Sequence, residues 1–327
     1  MTILDRAPAP DAAGARPDLI EHMTAQLETS LATHLGRAQE WFPHEYVPWG
    51  EARDFAELPY AETQCRLSPA VKAAVVLNLL TEDNLPGYHG ELGRLLGGND
   101  AAGRRNEAGT DLWRTWLNRW TAEEGRHAIA MRDYLVVTRV VDPVVLERDR
   151  MATVSAGFHT PDKDGLHTIA YVSLQELATR ISHRATGKMS GEPGLDRLLG
   201  RIATDENHHM VLYRDLLAAA LEVDPASTIR ALTDEVAGFE MPGTGIPGFV
   251  RRAAVVARAG IYDLQVHRDQ VIEPMIRFWG VLGLEGLNAE AEAERDRLVL
   301  VLAELDRRVD KQLVRRAARP VKEGSAP

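Results

Sequence analysis

Apolar residues recur three or four positions apart along most of the chain, and charged residues fill the positions between them. Because such positions share one face of a helix, the pattern predicts amphipathic α-helices rather than strands. Runs of β-branched residues are short, and prolines and glycines mark the breaks. The predicted helices cover 19–36, 69–96, 110–140, 143–157, 165–189, 194–222, 225–238, 247–280 and 288–317, and 41–62 is predicted to be an ordered loop. The fold class is therefore all-α.

Length and composition are compatible with one large domain. The chain has 327 residues, of which 45% are hydrophobic, and this is enough for a single core. We expect a helical-bundle domain over 18–317, with flexible tails at 1–17 and 318–327. The formal net charge of −10 argues against non-specific nucleic-acid binding. No apolar run approaches the ~20 residues that a membrane helix needs, so no transmembrane segment is expected.

The cysteine content and the N-terminal segment bear on location. Cys65 is the only cysteine, which excludes an intramolecular disulfide and fits a reducing compartment. Residues 1–17 contain two aspartates and lack the apolar stretch of a signal peptide. We therefore expect a cytoplasmic protein.

The motif Glu-x-x-His occurs twice, as Glu124 with His127 and as Glu206 with His209. Positions i and i+3 of a helix lie on one face, so each pair can direct two ligands at one point. A single copy is more often a solvated charged face. Here both pairs interrupt apolar stripes that should face the core, where an ionisable group without a partner costs several kcal/mol.

Two further carboxylates, Glu82 and Glu176, interrupt the apolar stripes of the helices that precede the two motifs. Two single glutamates and two Glu-x-x-His pairs are the ligand set of ferritin-like di-iron or di-manganese bundles. Four carboxylates balance two divalent cations, which removes the cost of burying them. The alternative is a set of salt bridges between helices, but Arg126 and Arg180 are predicted to point to other faces.

Four segments, "TEDNLPGYH", "WTAEEGRH", "LQELATRISH" and "ATDENHH", resemble the soluble acyl-carrier-protein desaturases of plant plastids. The resemblance covers roughly 20–310. The family has "EENRHG" and "DEKRHE"-like motifs where this chain has "EEGRHA" and "DENHHM", so the predicted ligands are kept while their neighbours differ. The resemblance implies a ferritin-like helical bundle that forms a homodimer.

The same resemblance implies a reaction. It implies O₂-dependent insertion of a cis double bond into a saturated acyl chain on acyl carrier protein, with electrons from ferredoxin or a similar donor and two iron ions per chain. The implied iron ligands are Glu82, Glu124, His127, Glu176, Glu206 and His209. Thr179 matches a family threonine associated with O₂ activation and proton delivery. Alternatively, its hydroxyl bonds to its own helix backbone.

An additional acid precedes each motif glutamate, Glu123 in one helix and Asp205 in the other. Adjacent helix positions differ by about 100° in direction, so these acids cannot reach the same metal as their neighbours. We predict a crossed arrangement, in which Asp205 accepts from His127 and Glu123 accepts from His209. The family has tryptophans near its matching acids, so the resemblance implies that Trp41 and Trp120 complete this network and offer an electron path.

Several features allow two interpretations. Gly87, Gly90 and Gly93 either let an acyl chain pass or allow close helix packing beside a kink at Pro86. Glu91 and Arg94 fall on the segment that often lines the substrate tunnel in this family. The basic residues of 251–258 and of 307–316 either dock an acidic carrier protein or form solvated faces. His183, His208 and Cys65 are assigned structural or surface positions.

Three other functions compete with the desaturase interpretation. A ribonucleotide reductase small subunit needs a radical tyrosine and often begins its ligand set with aspartate, but here the first predicted ligand is Glu82 and only Tyr88 lies near it in sequence. An iron-storage subunit does not need the long helices after residue 240. A hydroxylase that acts on a carrier-bound chain uses the same oxidant and remains open.

Overall fold

A computed structural model describes residues 17–52, 57–96, 107–158, 160, 163–243 and 245–318. These residues form helices and connecting turns, without a strand among them, so the all-α prediction is confirmed. The predicted tails, 1–17 and 318–327, lie outside the described residues except for Pro17 and Ala318, and the domain limits stay a prediction.

The twelve α-helices of the described chain are numbered in order. They are α1 (Pro17–Arg37), α2 (Pro69–Glu82), α3 (Leu85–Leu96), α4 (Glu107–Val137), α5 (Pro143–Ala156), α6 (Gly165–Ser190), α7 (Pro193–Val223), α8 (Pro225–Gly238), α9 (Phe249–Arg258), α10 (Leu264–His267), α11 (Glu273–Trp279) and α12 (Ala289–Ala317). A π-helical segment (Arg268–Ile272) joins α10 to α11. The predicted loop 41–62 contains short 3₁₀ turns at Pro43–Glu45 and Trp49–Ala52, and another begins at its end, Glu62–Gln64.

Local sequence explains where several helices begin. The side chain of Ser68 accepts a hydrogen bond from the Val71 amide at the start of α2, and Asp142 caps α5 in the same way. A proline follows each cap, at the position where a missing N–H costs nothing. The predicted start points of these helices are therefore confirmed.

The predicted helix 69–96 is wrong, because the chain forms two helices there. Helix α2 ends at Glu82, and α3 begins at Leu85. Pro86 lacks an N–H and disfavours helical geometry in the residue before it. The Asn84 side chain instead donates to the carbonyl of Gly157, 3.0 Å away. The break places the Glu82 carboxylate at the end of its helix, beside α3.

The predicted helix 247–280 is also interrupted. Gly260 adopts φ +75°, a left-handed conformation that ends α9, and the Asp263 side chain caps α10. Helix α4 ends at Val137 rather than at 140, and Arg139 has φ +53° in the turn that follows. These helix ends are set by backbone conformation and by capping side chains, which the spacing of apolar residues does not reveal.

The centre of the molecule is formed by α2, α4, α6 and α7. Helix α1 packs against α4 and α7, α8 packs against α6 and α12, and α9 packs against α2. Two apolar clusters fill the interior, one around Trp116 and Tyr213 and the other around Met131 and Leu199. Along α4 and α7 the Glu-x-x-His motifs lie between the residues of these two clusters. The polar centre is therefore enclosed by apolar packing on both sides.

Within the described residues, no helix is both long enough and apolar enough to cross a bilayer.

Candidate metal centre

Four helices bring the six predicted ligands together in the interior. Glu82 comes from the end of α2, Glu176 comes from α6, and α4 and α7 each contribute one Glu-x-x-His pair. All six side chains are at most 4% exposed. These residues were predicted from their positions on the apolar faces of their helices, and the structure places all six in one buried region.

The six side chains form two overlapping groups. In each group, one potential ligand atom per residue lies within 4.8 Å of the others. The groups are Glu82, Glu124, His127 and Glu206, and Glu124, Glu176, Glu206 and His209. Glu124 and Glu206 belong to both groups. This geometry suits two cations that share two carboxylates, with one histidine and one further glutamate on each cation.

Within each group, the Nδ1 atom of the histidine lies close to the carboxylate oxygens of the glutamates. Nδ1 of His127 lies 3.5 Å from Oε2 of Glu82 and 3.2 Å from Oε1 of Glu206. Nδ1 of His209 lies 2.9 Å from Oε1 of Glu124 and 3.6 Å from Oε2 of Glu176. Both histidines therefore present Nδ1 to the carboxylates.

The donor atoms pass a test of fit for metal ions. Each of the six residues has one buried side-chain atom that lacks a hydrogen-bond partner of acceptable geometry. These atoms are Oε2 of Glu82, Oε1 of Glu124, Nδ1 of His127, Oε2 of Glu176, Oε1 of Glu206 and Nδ1 of His209. Buried polar atoms are normally satisfied, so six such atoms at one point fit the binding of cations. Carboxylate oxygen and imidazole nitrogen without thiolate suit iron or manganese.

The electrostatics of the group also favour cations. Burial and the charges of Glu124 and Glu176 raise the pKa of Glu206 well above its usual range. Burial alone would lower the pKa of His127, but the Glu124 charge and three carboxylate contacts raise it well above its usual range. The carboxylates thus compete for positive charge, which bound divalent cations supply.

The alternative of ordinary salt bridges does not account for the four glutamates. In the part of the chain that the structure describes, their ion pairs are all with histidines, and none is with lysine or arginine. Arg126 was predicted to point to another face. It lies 3.5 Å from Asp205 and 3.8 Å from Glu123, so it serves the additional acids and not the ligands.

The two additional acids lie behind the histidines, across the helix interface. Oδ2 of Asp205 is 3.4 Å from Nε2 of His127, and Oε2 of Glu123 is 3.0 Å from Nε2 of His209. Both acids are 3% exposed, and not solvated. Because Nδ1 faces the ligand group, Nε2 carries the proton and donates to the acid, which fixes the tautomer and the ring orientation.

Both acids are held as carboxylates. Burial alone would raise the pKa of Asp205, but hydrogen bonds from His127 and from Trp41 hold it well below its usual range. Hydrogen bonds from His209 and His34 do the same for Glu123. Arginines complete the pairing, since Arg201 contacts Asp205 and Arg119 lies 2.5 Å from Glu123.

The two tryptophans have different partners. Nε1 of Trp41 donates to Oδ2 of Asp205 at 2.7 Å, so Trp41 extends the network behind His127. Nε1 of Trp120 donates to Oε1 of Glu176 at 3.1 Å, so Trp120 contacts a predicted ligand and not an additional acid. The place equivalent to Trp41 behind Glu123 is occupied by His34 of α1, whose Nε2 lies 2.9 Å from Glu123.

Sequence reasoning missed His34. The residue follows Leu27 and Leu31 on one helical stripe of α1 and is 4% exposed, so the stripe periodicity alone could have found it. Nothing local in the sequence shows that α1 packs against α4 and α7, and this packing is what gives His34 its partner.

Of the structural or surface position predicted for His183, the structure supports the structural one and adds a contact with a predicted ligand. His183 is fully buried, and its Nε2 lies 2.5 Å from Oε1 of Glu82. It continues the stripe of Glu176 and Thr179 by one turn of α6. His208 and Cys65 are half-buried and lie outside both ligand groups of the described residues.

The Thr179 hydroxyl is engaged within its own helix. It donates to the Gln175 carbonyl at 2.9 Å and accepts from the Gln175 side-chain amide at 2.9 Å. This is the backbone-bonded arrangement, one of the two alternatives that the sequence allowed for Thr179; the other is a part in O₂ activation and proton delivery. Thr179 is buried, and its proposed part in proton delivery stays a prediction.

A cavity that is partly open to solvent lies beside the ligand group. Glu82, Glu124 and Trp120 form part of its wall. Half of the remaining lining residues are apolar or aromatic, including Tyr88, Leu92, Phe158 and Val172. A chain-like apolar ligand in this cavity would lie against the carboxylates.

Comparison with known proteins identifies the family. The family model described as fatty acid desaturase matches residues 15–325. The chain belongs to the fatty acid desaturase family. The resemblance stated from the four sequence segments is therefore confirmed, and the protein is a desaturase of the oxidoreductase class.

Individual relatives of this desaturase come from bacteria and plants. DesA1 of Mycobacterium tuberculosis, named as an acyl-[acyl-carrier-protein] desaturase, is 40% identical over 304 residues, which are 90% of this chain and 87% of DesA1. The chloroplastic stearoyl-[acyl-carrier-protein] 9-desaturase of Gossypium hirsutum is 29% identical over 86% of this chain and 73% of its own length. The X-ray structure of DesA2 from Mycobacterium tuberculosis superposes with a TM-score of 0.66 and 29% identity, over 85% of this chain and 99% of DesA2. The desaturase thus shares the helical, ferritin-like fold.

Proposed function

We propose that this desaturase introduces a cis double bond into a saturated acyl chain carried by acyl carrier protein. In the balanced reaction, one –CH₂–CH₂– unit, O₂, two electrons and two protons give one –CH=CH– unit and two water molecules. A ferredoxin-type protein supplies the electrons. The observation that carries the proposal is the pair of ligand groups that share Glu124 and Glu206 and face an apolar cavity.

The proposed cofactor is a pair of iron ions held by Glu82, Glu124, His127, Glu176, Glu206 and His209. When bound, the two ions would supply the O₂-dependent removal of hydrogen from an unactivated methylene, which no side chain can perform. The surrounding residues have separate tasks. Asp205 and Glu123 orient the histidines, and the cavity wall holds the acyl chain and excludes water.

The basic residues of α9 are our candidate for carrier docking. Arg251 and Arg258 are exposed on that helix. In the other basic run, Arg307 pairs with Glu304 and Arg316 pairs with Asp263, which reduces the positive charge that this run offers. Acyl carrier proteins are acidic, so an exposed pair of arginines favours their approach. We also propose that the enzyme acts as a homodimer in the cytoplasm.

Product analysis tests the proposed reaction. The iron-loaded protein is incubated with acyl carrier protein that bears saturated acyl chains of different lengths, together with ferredoxin, ferredoxin reductase, a nicotinamide reductant and O₂. The acyl chains are then released and analysed by mass spectrometry. We expect a product that has lost two hydrogen atoms. A product that has gained one oxygen atom would establish the hydroxylase, and unchanged chains with every substrate would contradict both activities. The Glu206→Ala variant should give unchanged chains.

A further inference from the structure

The two histidines of the ligand group have matching surroundings. The ring of Trp41 is stacked on the ring of His127, with centroids 6.2 Å apart and planes at 17°, and its Nε1 donates to Asp205. The ring of His34 is stacked on the ring of His209 in the same way, with centroids 5.8 Å apart and planes at 26°. Each histidine of the ligand group therefore has one aromatic ring against its face.

His34 also reaches the acid behind His209. Oε2 of Glu123 lies 2.9 Å from Nε2 of His34 and 3.0 Å from Nε2 of His209. A carboxylate oxygen only accepts, so both imidazoles donate to this one atom. The other oxygen of Glu123, Oε1, accepts from Arg119 at 2.6 Å. His34 of α1 and Arg119 of α4 thus hold the carboxylate from two sides.

Stability alone does not account for a histidine at this position. His34 is buried, and its Nδ1 has no hydrogen-bond partner among the described residues. A buried polar atom without a partner costs free energy, which an apolar side chain would avoid. Leu27 and Leu31 are such side chains on the same stripe of α1. The contacts with Glu123 and His209 are therefore what distinguishes the histidine from another leucine.

His34 and Trp41 come from one stretch of chain, the last turn of α1 and the loop that follows it. Helix α1 packs against α4 and α7, which carry the two Glu-x-x-His motifs. His209 belongs to one of the two ligand groups, and His127 belongs to the other. A change at His34 should therefore affect one metal position and spare the other.

We propose that His34 is a positioning residue for one of the two metal ions, the ion held by the ligand group that contains His209. The inference rests on the proposed cofactor and assigns the affinity of one position to a residue of α1. His34 acts through Glu123, which fixes the tautomer and the ring orientation of His209. Without His34, Glu123 keeps Arg119 as a partner but is free to turn away from His209.

Anaerobic titration of the metal-free protein with ferrous iron tests this inference, because binding is measured by calorimetry without turnover. In His34→Ala, one ion should bind on the order of 10–100-fold more weakly, and the other should bind as in the unchanged protein. His34→Gln keeps an N–H donor and should recover part of the loss. If His34→Ala does not fold, as judged by circular dichroism, His34→Phe keeps the ring, removes the donor and should show the same loss.

A double-mutant cycle identifies the affected position. His209→Ala removes the ligand on which His34 acts, so adding His34→Ala should not weaken the remaining ion further. In a His127→Ala background, His34→Ala should weaken the remaining ion by the same 10–100-fold. His22→Ala, at a histidine on the surface of α1, is the matched control and should not change the affinity of either ion.

The outcomes separate this inference from the proposed cofactor. Unchanged affinity for both ions in His34→Ala, or an equal loss in the two backgrounds, overturns the positioning role and leaves the proposed metal centre intact. Failure of the unchanged protein to bind two ions overturns the proposed cofactor as well.

Discussion

The Nε2 atom of His183 lies 2.5 Å from Oε1 of Glu82. Its Nδ1 faces the side-chain amide nitrogen of Asn78 at 3.1 Å, while the amide oxygen of Asn78 accepts from the Ser182 hydroxyl. An amide nitrogen only donates, so Nδ1 of His183 accepts and Nε2 carries the proton. His183 thereby donates to a predicted metal ligand and restricts the position of its carboxylate.

The first prediction follows from this chain of hydrogen bonds. His183→Ala should weaken iron binding or turnover on the order of 10–100-fold, because loss of the partner of a ligand frees its carboxylate. His183→Gln keeps an N–H donor and should recover part of the loss. Iron content and activity of the purified variants measure the effect. His22→Ala, a surface histidine of α1, is the control, and equal losses in both variants would refute a positioning role for His183.

The second prediction concerns Asp205. Asp205→Ala removes the acceptor of the His127 N–H and the partner of the Trp41 indole, so iron affinity or turnover should fall on the order of 10–100-fold. Asp215→Ala removes a half-buried acid from the same helix and should leave both quantities close to normal. Iron titration followed by a turnover assay compares the two. Normal loading and a normal rate in Asp205→Ala would disprove the crossed arrangement as a functional feature.

The third prediction concerns the glycines of α3. Gly87→Ala should destabilise the fold by roughly 1–3 kcal/mol, because its Cβ would meet the Phe158 backbone nitrogen at 2.8 Å. Gly90 has no atom within 4 Å of an added Cβ. Gly90→Ala should therefore stabilise the helix by about 0.5–1 kcal/mol. Urea unfolding of both variants measures the difference. A neutral Gly87→Ala would mean that segment 157–158 is not held closely against α3.

The fourth prediction is a pH dependence. His267 is 6% exposed, and burial lowers its pKa to about 4. Between that value and the unfolded pKa near 6.5, the unfolded chain binds a proton that the folded chain does not. The free energy of unfolding should therefore fall as the pH falls through this range, by on the order of 3 kcal/mol in total.

A variant isolates this contribution. His267→Phe keeps an aromatic ring beside Phe239, whose ring centroid is 4.3 Å from that of His267, and removes the titrating group. Stability of the variant should depend less on pH between about 4 and 6.5 than stability of the unchanged protein. His44→Gln, at an exposed histidine, should change nothing. Parallel pH profiles for the protein and for His267→Phe would contradict the buried, neutral state of His267.

Helical periodicity was sufficient to predict the fold class and to nominate the ligand group. Glu82, Glu124 and Glu206 were recognisable because a charged residue on an apolar stripe requires a partner, and the i, i+3 spacing supplied the histidines. The break at Asn84 was not recognisable in the same way. The Asn84 side chain donates to Gly157, which is distant in sequence, so the break involves a tertiary contact as well as Pro86.

Residues whose partners come from other helices were harder to identify. His34 and His183 are single histidines on ordinary stripes, and only packing brings them to Glu123 and Glu82. The role of the α3 glycines was also hard to predict, because their neighbours come from distant parts of the sequence. The sequence left acyl-chain passage and helix packing open, whereas Gly87 packs against a backbone segment and not against another helix.

The central claim is that the two ligand groups, which have Glu124 and Glu206 in common, would hold two iron ions. The most direct measurement is the iron content per chain after loading under reducing conditions and removal of free metal. We predict about two iron ions per chain, as in other bundles with this ligand set. Glu206→Ala and His209→Ala should bind clearly less iron. Retention of the full iron content in either variant, or a content of at most one ion in the unchanged protein, would contradict the account.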